Sequence, residues 1–285
     1  MFPETLQFSI RSQINDWVES LVVNYGAAFK AISNAILQVV LVVESVLRGL
    51  PWWAIIIIFM ALAWASSRKI AFSIAVGVLM VAVGVLGLWD LTMQTLALML
   101  VATLVSVIIG LPVGILCAKN RVARAITLPV LDVMQTMPSF VYLIPVLMLF
   151  GLGKVPAILA TVVYAVPPLI RLTDLGIRQV DSEVVEAATA FGTAPARLLF
   201  GVELPLATPT IMAGLNQTVM MALSMVVVAS MIGARGLGEQ VLNGIQTLDV
   251  GRGLEAGIGI VILAIVIDRI MQGFGRSRLE EARNG

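Results

Sequence analysis

Residues 183–205 read EVVEAATAFGTAPARLLFGVELP, a polar, alanine-rich stretch between two apolar segments, Val155 to Gly176 and Leu206 to Ile232. A bilayer crossing needs about 20 apolar residues. Both flanking segments meet that length, so the stretch between them is expected as a loop at one membrane face. Ser182 is placed to cap a short helix whose first turns carry Glu183 and Glu186, where carboxylates complement the positive end of the helix dipole. Ala187, Ala188 and Ala190 keep that helix thin enough for another protein to approach closely. Gly192 should break it. Thr193-Ala194-Pro195 reads as a turn into a second short helix with proline near its first position. Pro205 is expected to end this elbow, because a residue before proline disfavours helical geometry. The alternative is an ordinary amphipathic loop lying on lipid headgroups.

Composition sets the surroundings. The chain has 285 residues, 59% hydrophobic and 12% charged, with a formal net charge of +1, and its mean hydropathy is +1.01. That is too apolar for a soluble domain of this size and reads as an all-α polytopic membrane bundle. The balanced charge carries no nucleic-acid footprint. One cysteine, Cys117, excludes an internal disulfide and reads as a packing residue, and the lack of histidine removes the commonest metal ligand and proton shuttle. The start, MFPETLQFSIRSQINDW, has acidic and polar residues where a cleaved leader would be basic and then apolar.

In chain order, Ile14, Trp17, Val18, Leu21, Val22, Tyr25, Phe29, Ile32 and Ile36 recur at helical spacing, with Asp16, Glu19, Asn24 and Lys30 elsewhere. This is an amphipathic helix whose polar face favours the interface over a span. From Ala35 to Leu47 two readings stay open, the second half of an interfacial helix pair or an additional span; the interruptions at Gln38, Glu44 and Arg48 favour the first. Seven spans follow: Trp52 to Ala65 (short), Ile70 to Leu88, Leu91 to Ala118, Ile126 to Phe150, Val155 to Gly176, Leu206 to Ile232 and Leu254 to Phe274. Arg68-Lys69, Lys119/Arg121/Arg124, Arg178/Arg197 and Arg276/Arg278/Arg283 share one side, which the positive-inside rule makes cytoplasmic. The elbow lies on that side. The N-terminal region faces outwards unless Ala35 to Leu47 spans.

Within the spans, Pro112, Pro138, Pro145 and Pro167-Pro168 are expected kinks, and Gly110, Gly114, Gly257 and Gly259 expected close-packing positions. Asp132, Arg171, Asp174, Asp268 and Arg269 all fall towards cytoplasmic ends, leaving the midplane without carboxylates. Machines driven by protons or voltage place ionisable groups there, so the energy source is expected outside the bilayer. The span after the elbow is neutral and methionine-rich. Asn216, Gln217, Met220 and Ser224 on it are candidate pathway residues, with helix–helix hydrogen bonding the competing reading. No enzyme site emerges, since GxxxxGK[ST] and HExxH are both absent and no histidine can activate a nucleophile.

The elbow's residues carry a resemblance. Glu186-Ala187-Ala188, Gly192 after three residues, Val202 after nine more and Leu204-Pro205 after another resemble the EAA-x3-G-x9-I-x-L-P signature of the membrane subunits of ATP-binding-cassette importers, with valine for isoleucine. Further stretches are similar to the glycine betaine/choline branch: WDLTMQTLALML from Trp89, LDVMQTMPSFVYLIP from Leu131, PPLIRLTDLGIRQV from Pro167, ELPLATPTIMAGLNQTVMMALSMVVVASMIGARGLG from Glu203 and GRGLEAGIGIVILAIVIDRI from Gly251. The resemblance implies the type I importer permease fold in a bacterial cytoplasmic membrane. It implies a homodimeric pore, cytoplasmic subunits that bind and hydrolyse ATP, and a periplasmic or lipid-anchored binding protein whose aromatic cage takes the ammonium. Glu186, Ala187, Ala188, Gly192, Leu204 and Pro205 would then dock the ATPase. The chain divides into residues 1–50, interfacial; 51–90, peripheral spans; 91–275, the transport core with its loop at 178–205; and 276–285, a cytoplasmic tail. The alternatives are a permease for an amino-acid-like solute such as methionine, or a secondary transporter acting alone.

Overall fold

The computed structural model describes residues 10–284, without the side chains of residue 226 and residues 275–284. The first nine residues, on which much of the leader reading rests, and the tail arginines 276, 278 and 283 therefore fall outside what is described. The chain folds as helices joined by short turns: α1 (Arg11–Gly49), α2 (Trp52–Ser67), α3 (Ile70–Val85), α4 (Trp89–Lys119), α5 (Arg121–Thr136), a 3₁₀ turn (Ser139–Tyr142), α6 (Leu143–Phe150), α7 (Lys154–Arg178), α8 (Ser182–Ala190), α9 (Pro195–Leu198), a π turn (Leu199–Glu203), α10 (Leu204–Ser230), α11 (Leu237–Thr247) and α12 (Val250–Asn284). Helices are what the solvent permits, because a backbone in hydrocarbon must satisfy its own hydrogen bonds.

The centre is α7, with 72% of its membrane window buried, against 6% for α1. It lies between α4 and α10, and small residues set the approach. A Cβ on Gly114 would stand 2.5 Å from Thr173 Cβ and 2.9 Å from the Ile170 carbonyl oxygen, and one on Gly214 would stand 2.9 Å from Leu172 Cβ. Gly110 faces Leu169 and Val166, and Gly259 faces Leu88 and Leu237. Gly257, expected in the same class, meets nothing within 4 Å. Pro112, Pro167, Pro168 and Pro209 remain inside uninterrupted helices.

One expected span and the N-terminal region differ from the expectation. Ile126 to Phe150 is not one helix: the chain breaks at Met137-Pro138, both extended, and bends there by 109°. Met137 adopts the geometry that a following proline favours, so of the expected proline kinks this one becomes a corner. The expected pairing of two N-terminal helices is corrected, because α1 is a single 39-residue helix without internal proline; by length and composition it is also a candidate span. Both interrupting charges have partners, and only Glu44 is withdrawn from the surface. Glu44 is buried and pairs with Lys154, while Arg48 reaches Glu44 at 3.5 Å and Asp90 at 3.3 Å. Phe29 meets Phe150 edge-on at 5.4 Å. At about 58 Å, α1 exceeds a hydrocarbon core of about 30 Å. Glu44 and Arg48 near its end meet Lys154 and Asp90 at the first turns of α7 and α4, so the excess length lies at the other end of α1.

The short helices α2 and α3, 16 residues each, pack on α12 through Ile55, Phe59, Val76, Met80, Leu263 and Val266. The backbone approach at Gly114 makes it the sensitive point of the bundle. Gly114→Val is expected to lower the apparent unfolding temperature of the purified protein by several degrees, from overpacking of about 1–3 kcal/mol. Gly257→Ala should leave it unchanged in the same thermal scan.

Candidate functional site

The elbow forms as two helical pieces around Gly192. The cap of α8 is Asp181 and not Ser182: the Asp181 carboxylate accepts from the Glu183 N–H at 2.9 Å. Either residue type can cap, and the chain turns one residue earlier than the sequence reading placed it. At the other end Gly192 has φ 77°. Its N–H donates to the Thr189 carbonyl at 2.9 Å and that of Thr193 to the Ala188 carbonyl at 3.2 Å, the paired bonds of a Schellman ending. Ala194 then caps α9, with Pro195 at its first position.

Pro205 does not end the elbow. Leu204 is helical at φ −64° and ψ −44°, and its N–H donates to the Leu199 carbonyl, five residues back. This widened turn lets the chain stay helical from Pro195 to Ser230. A π turn absorbs one extra residue, and the proline lies in the first turn of α10.

α8 buries no residue. Glu186, Ala187, Gly192 and Pro205 are exposed, and Ala188, Val202 and Leu204 half-buried. Phe191 is 92% exposed and Phe200 68%. These two phenylalanines were not singled out from sequence, although an aromatic beside the breaking glycine of an alanine-rich loop was the available signal. Glu203 was likewise not singled out. It is 5% exposed and pairs with Lys119 at the end of α4.

The charges near the cytoplasmic ends pair with one another. Arg124 donates to Asp174 at 2.9 Å, and Arg171 to Asp132 at 2.6 Å, stitching α5 to α7. Of the four candidate pathway residues, three share an open face of α10: Gln217 and Ser224 exposed, Met220 half-buried between them. Asn216 turns away and donates to Asp268 of α12 at 3.1 Å, where Gln272 also donates at 2.7 Å. No group of metal-ligating side chains occurs among the described residues.

With this geometry in hand, residues 110–279 match the family described as the binding-protein-dependent transport system inner membrane component. The chain belongs to this family. Among its relatives, the glycine betaine/proline betaine transport system permease protein ProW of Escherichia coli (strain K12) is 46% identical over 96% of this chain and 77% of its own length. The glycine betaine transport system permease protein OpuAB of Bacillus subtilis (strain 168) is 46% identical over 91% of this chain and 92% of its own. The glycine betaine/carnitine transport permease protein GbuB of Listeria monocytogenes serotype 1/2a (strain 10403S) is 43% identical over 93% and 96%. An inward-facing structure of the MetNI methionine ABC transporter matches 67% of this chain and 95% of that chain with a TM-score of 0.59 and 22% identity, a likeness of fold. The family member described here is thus a multi-pass inner-membrane permease subunit of an ATP-binding-cassette importer, with the type I importer fold.

The side assignments of this permease are open to direct measurement. In a Cys117→Ala background, a cysteine at Ser182 should react with an impermeant thiol reagent only once the membrane is opened, and one at Gln246 should react in intact spheroplasts. Both positions are exposed, so labelling reports sidedness and not burial.

Proposed function

We propose that this permease carries a quaternary ammonium solute, with glycine betaine the leading candidate, inward through a homodimeric pore. An external binding protein brings the solute, and cytoplasmic subunits supply the work of ATP hydrolysis. The observation that carries this reading is the elbow, an uncovered two-piece helix bearing Glu186, Ala187, Ala188 and Gly192 and flanked by exposed phenylalanines at 191 and 200. Exposed aromatics beside small residues are what a groove on another chain grips. Leu204 and Pro205 complete the signature where the elbow enters α10.

The solute class rests on the relatives named above, which are permeases for betaines and carnitine. Methionine is the second candidate through the solved neighbour, but the likeness there extends to fold alone. The open face of α10 suits a zwitterion or monocation. An amide, a thioether and a hydroxyl at offsets of three, four and seven residues line one side of a helix and offer no charge to trap an ammonium. That face lacks cover within the protomer, as a pore completed by a second copy requires.

Gly192→Leu places a branched side chain at positive φ in open space, so its effect is conformational, about 1–2 kcal/mol of backbone strain. Complexes carrying it should insert normally yet lose ATPase retention, or hydrolyse ATP without solute uptake. Full uptake and full solute-stimulated hydrolysis would remove the elbow from coupling. Ser224→Trp should strongly reduce maximal glycine betaine uptake at equal membrane abundance while leaving the binding protein's affinity unchanged. Wild-type maximal uptake would reassign that face to helix packing.

A further inference from the structure

Glu203 occupies an unusual place. Its side chain is buried at the last position of the π turn, between the elbow and α10, and among the described residues its carboxylate pairs with Lys119. Lys119 is the last residue of α4. The next residue, Asn120, ends α4 and caps α5, accepting from the N–H groups of Val122 at 2.9 Å and Ala123 at 3.1 Å, so the corner between the two helices is one residue long and tightly held. One turn into α5, Arg124 holds Asp174 of α7. An ion pair to Lys119, the covalent step to Asn120 and the ion pair from Arg124 therefore link the π turn to α4, α5 and α7. The elbow beyond it buries nothing in α8. A widened π turn is also the softest point of the run from Pro195 to Ser230, since its hydrogen bonds can shift register.

We propose that Lys119 and Glu203 are a positioning pair that delivers displacement of the elbow to α4 and α5, a role that rests on the reading of the elbow as the ATPase dock. Held at Glu203, the π turn cannot absorb a push on α8 and α9, and the push moves the corner at Asn120. Released, the π turn flexes, the ATPase subunits still turn over, and the pathway helices stay behind. The pair is thus required for transfer of motion and not for assembly.

The test uses the complete importer reconstituted in liposomes with its ATPase and binding protein, with radiolabelled glycine betaine as probe. It measures ATP hydrolysed per solute accumulated, ATPase retention and apparent unfolding temperature. Removing one partner strands a buried charge and endangers the fold, so the informative variant is the double Lys119→Met/Glu203→Gln. It should assemble, retain its ATPase and hydrolyse ATP, with a several-fold rise in ATP per solute. Lys119→Arg should keep the wild-type ratio, and the exchange Lys119→Glu/Glu203→Lys should recover much of what Glu203→Lys alone loses. An unchanged ratio in the double variant overturns the proposal, as does a loss confined to assembly and stability. Failure of the dock reads differently: Gly192→Leu complexes would keep a bound, fully coupled ATPase. A normal ratio at the pair beside an uncoupled Gly192→Leu complex would remove the pair alone.

Discussion

The structure depends on how closely α7 can approach its two neighbours. In a bilayer, helices gain little hydrophobic free energy by touching each other, because lipid tails are as apolar as their side chains, so association relies on dispersion contacts at short range. The approach at Gly114, where a Cβ would meet the backbone of α7, and at Gly214, where one would meet Leu172, brings whole helix surfaces into register. The elbow and the open face of α10 both hang from this slab. α10 presents its neutral face because its opposite side is committed to α7, and the elbow has a fixed root because α10 does.

The charged groups are arranged around that constraint. Those that pair across helices do so near the two ends of the bundle: Glu44, Lys154, Arg48 and Asp90 at one, and Arg124 with Asp174, Arg171 with Asp132 and Lys119 with Glu203 towards the other. Buried pairs contribute little net stability after desolvation but are costly to leave half-made. Their effect is to fix which helix ends meet. α1 illustrates this, since its contact with the bundle is slight and Glu44 and Arg48 set where it stops against α4 and α7.

The sequence made the elbow legible because its chemistry is local. Gly192 breaks the helix through its own φ, and Pro195 starts the next through its own ring. The cap missed by one residue because Asp181 and Ser182 have similar capping power, and the choice depends on where α7 releases the chain. The long α1 was not legible. Read alone, Gln38, Glu44 and Arg48 are interruptions, and the partners of the two charged ones, Lys154 and Asp90, stand far away in sequence. For the same reason the hydrogen bond from Asn216 to Asp268, a residue of another helix, was not legible. The corner at Pro138 and the continuity at Pro205 show one preference with two outcomes. At Pro138 the preceding Met137 is extended, whereas before Pro205 Leu204 stays helical behind the π turn.

That continuity bears on how force could travel. If the elbow ended at Pro205 in a flexible joint, movement at α8 would be lost before reaching the bilayer. Instead, α9, the π turn and α10 form one helical run of 36 residues. The face of Gln217, Met220 and Ser224 lies roughly 30–40 Å along it from the end of α9, at 1.5 Å per residue. Such a helix is stiff along its length, so its compliance is concentrated where its hydrogen bonding is irregular, at Leu199–Glu203. Glu203, the buried carboxylate of that segment, closes the irregular turn and is held from the side by Lys119 of another span. An irregular turn left unsupported would be a weak link; supported there, it becomes a pivot whose position is shared by α4, α5 and α10.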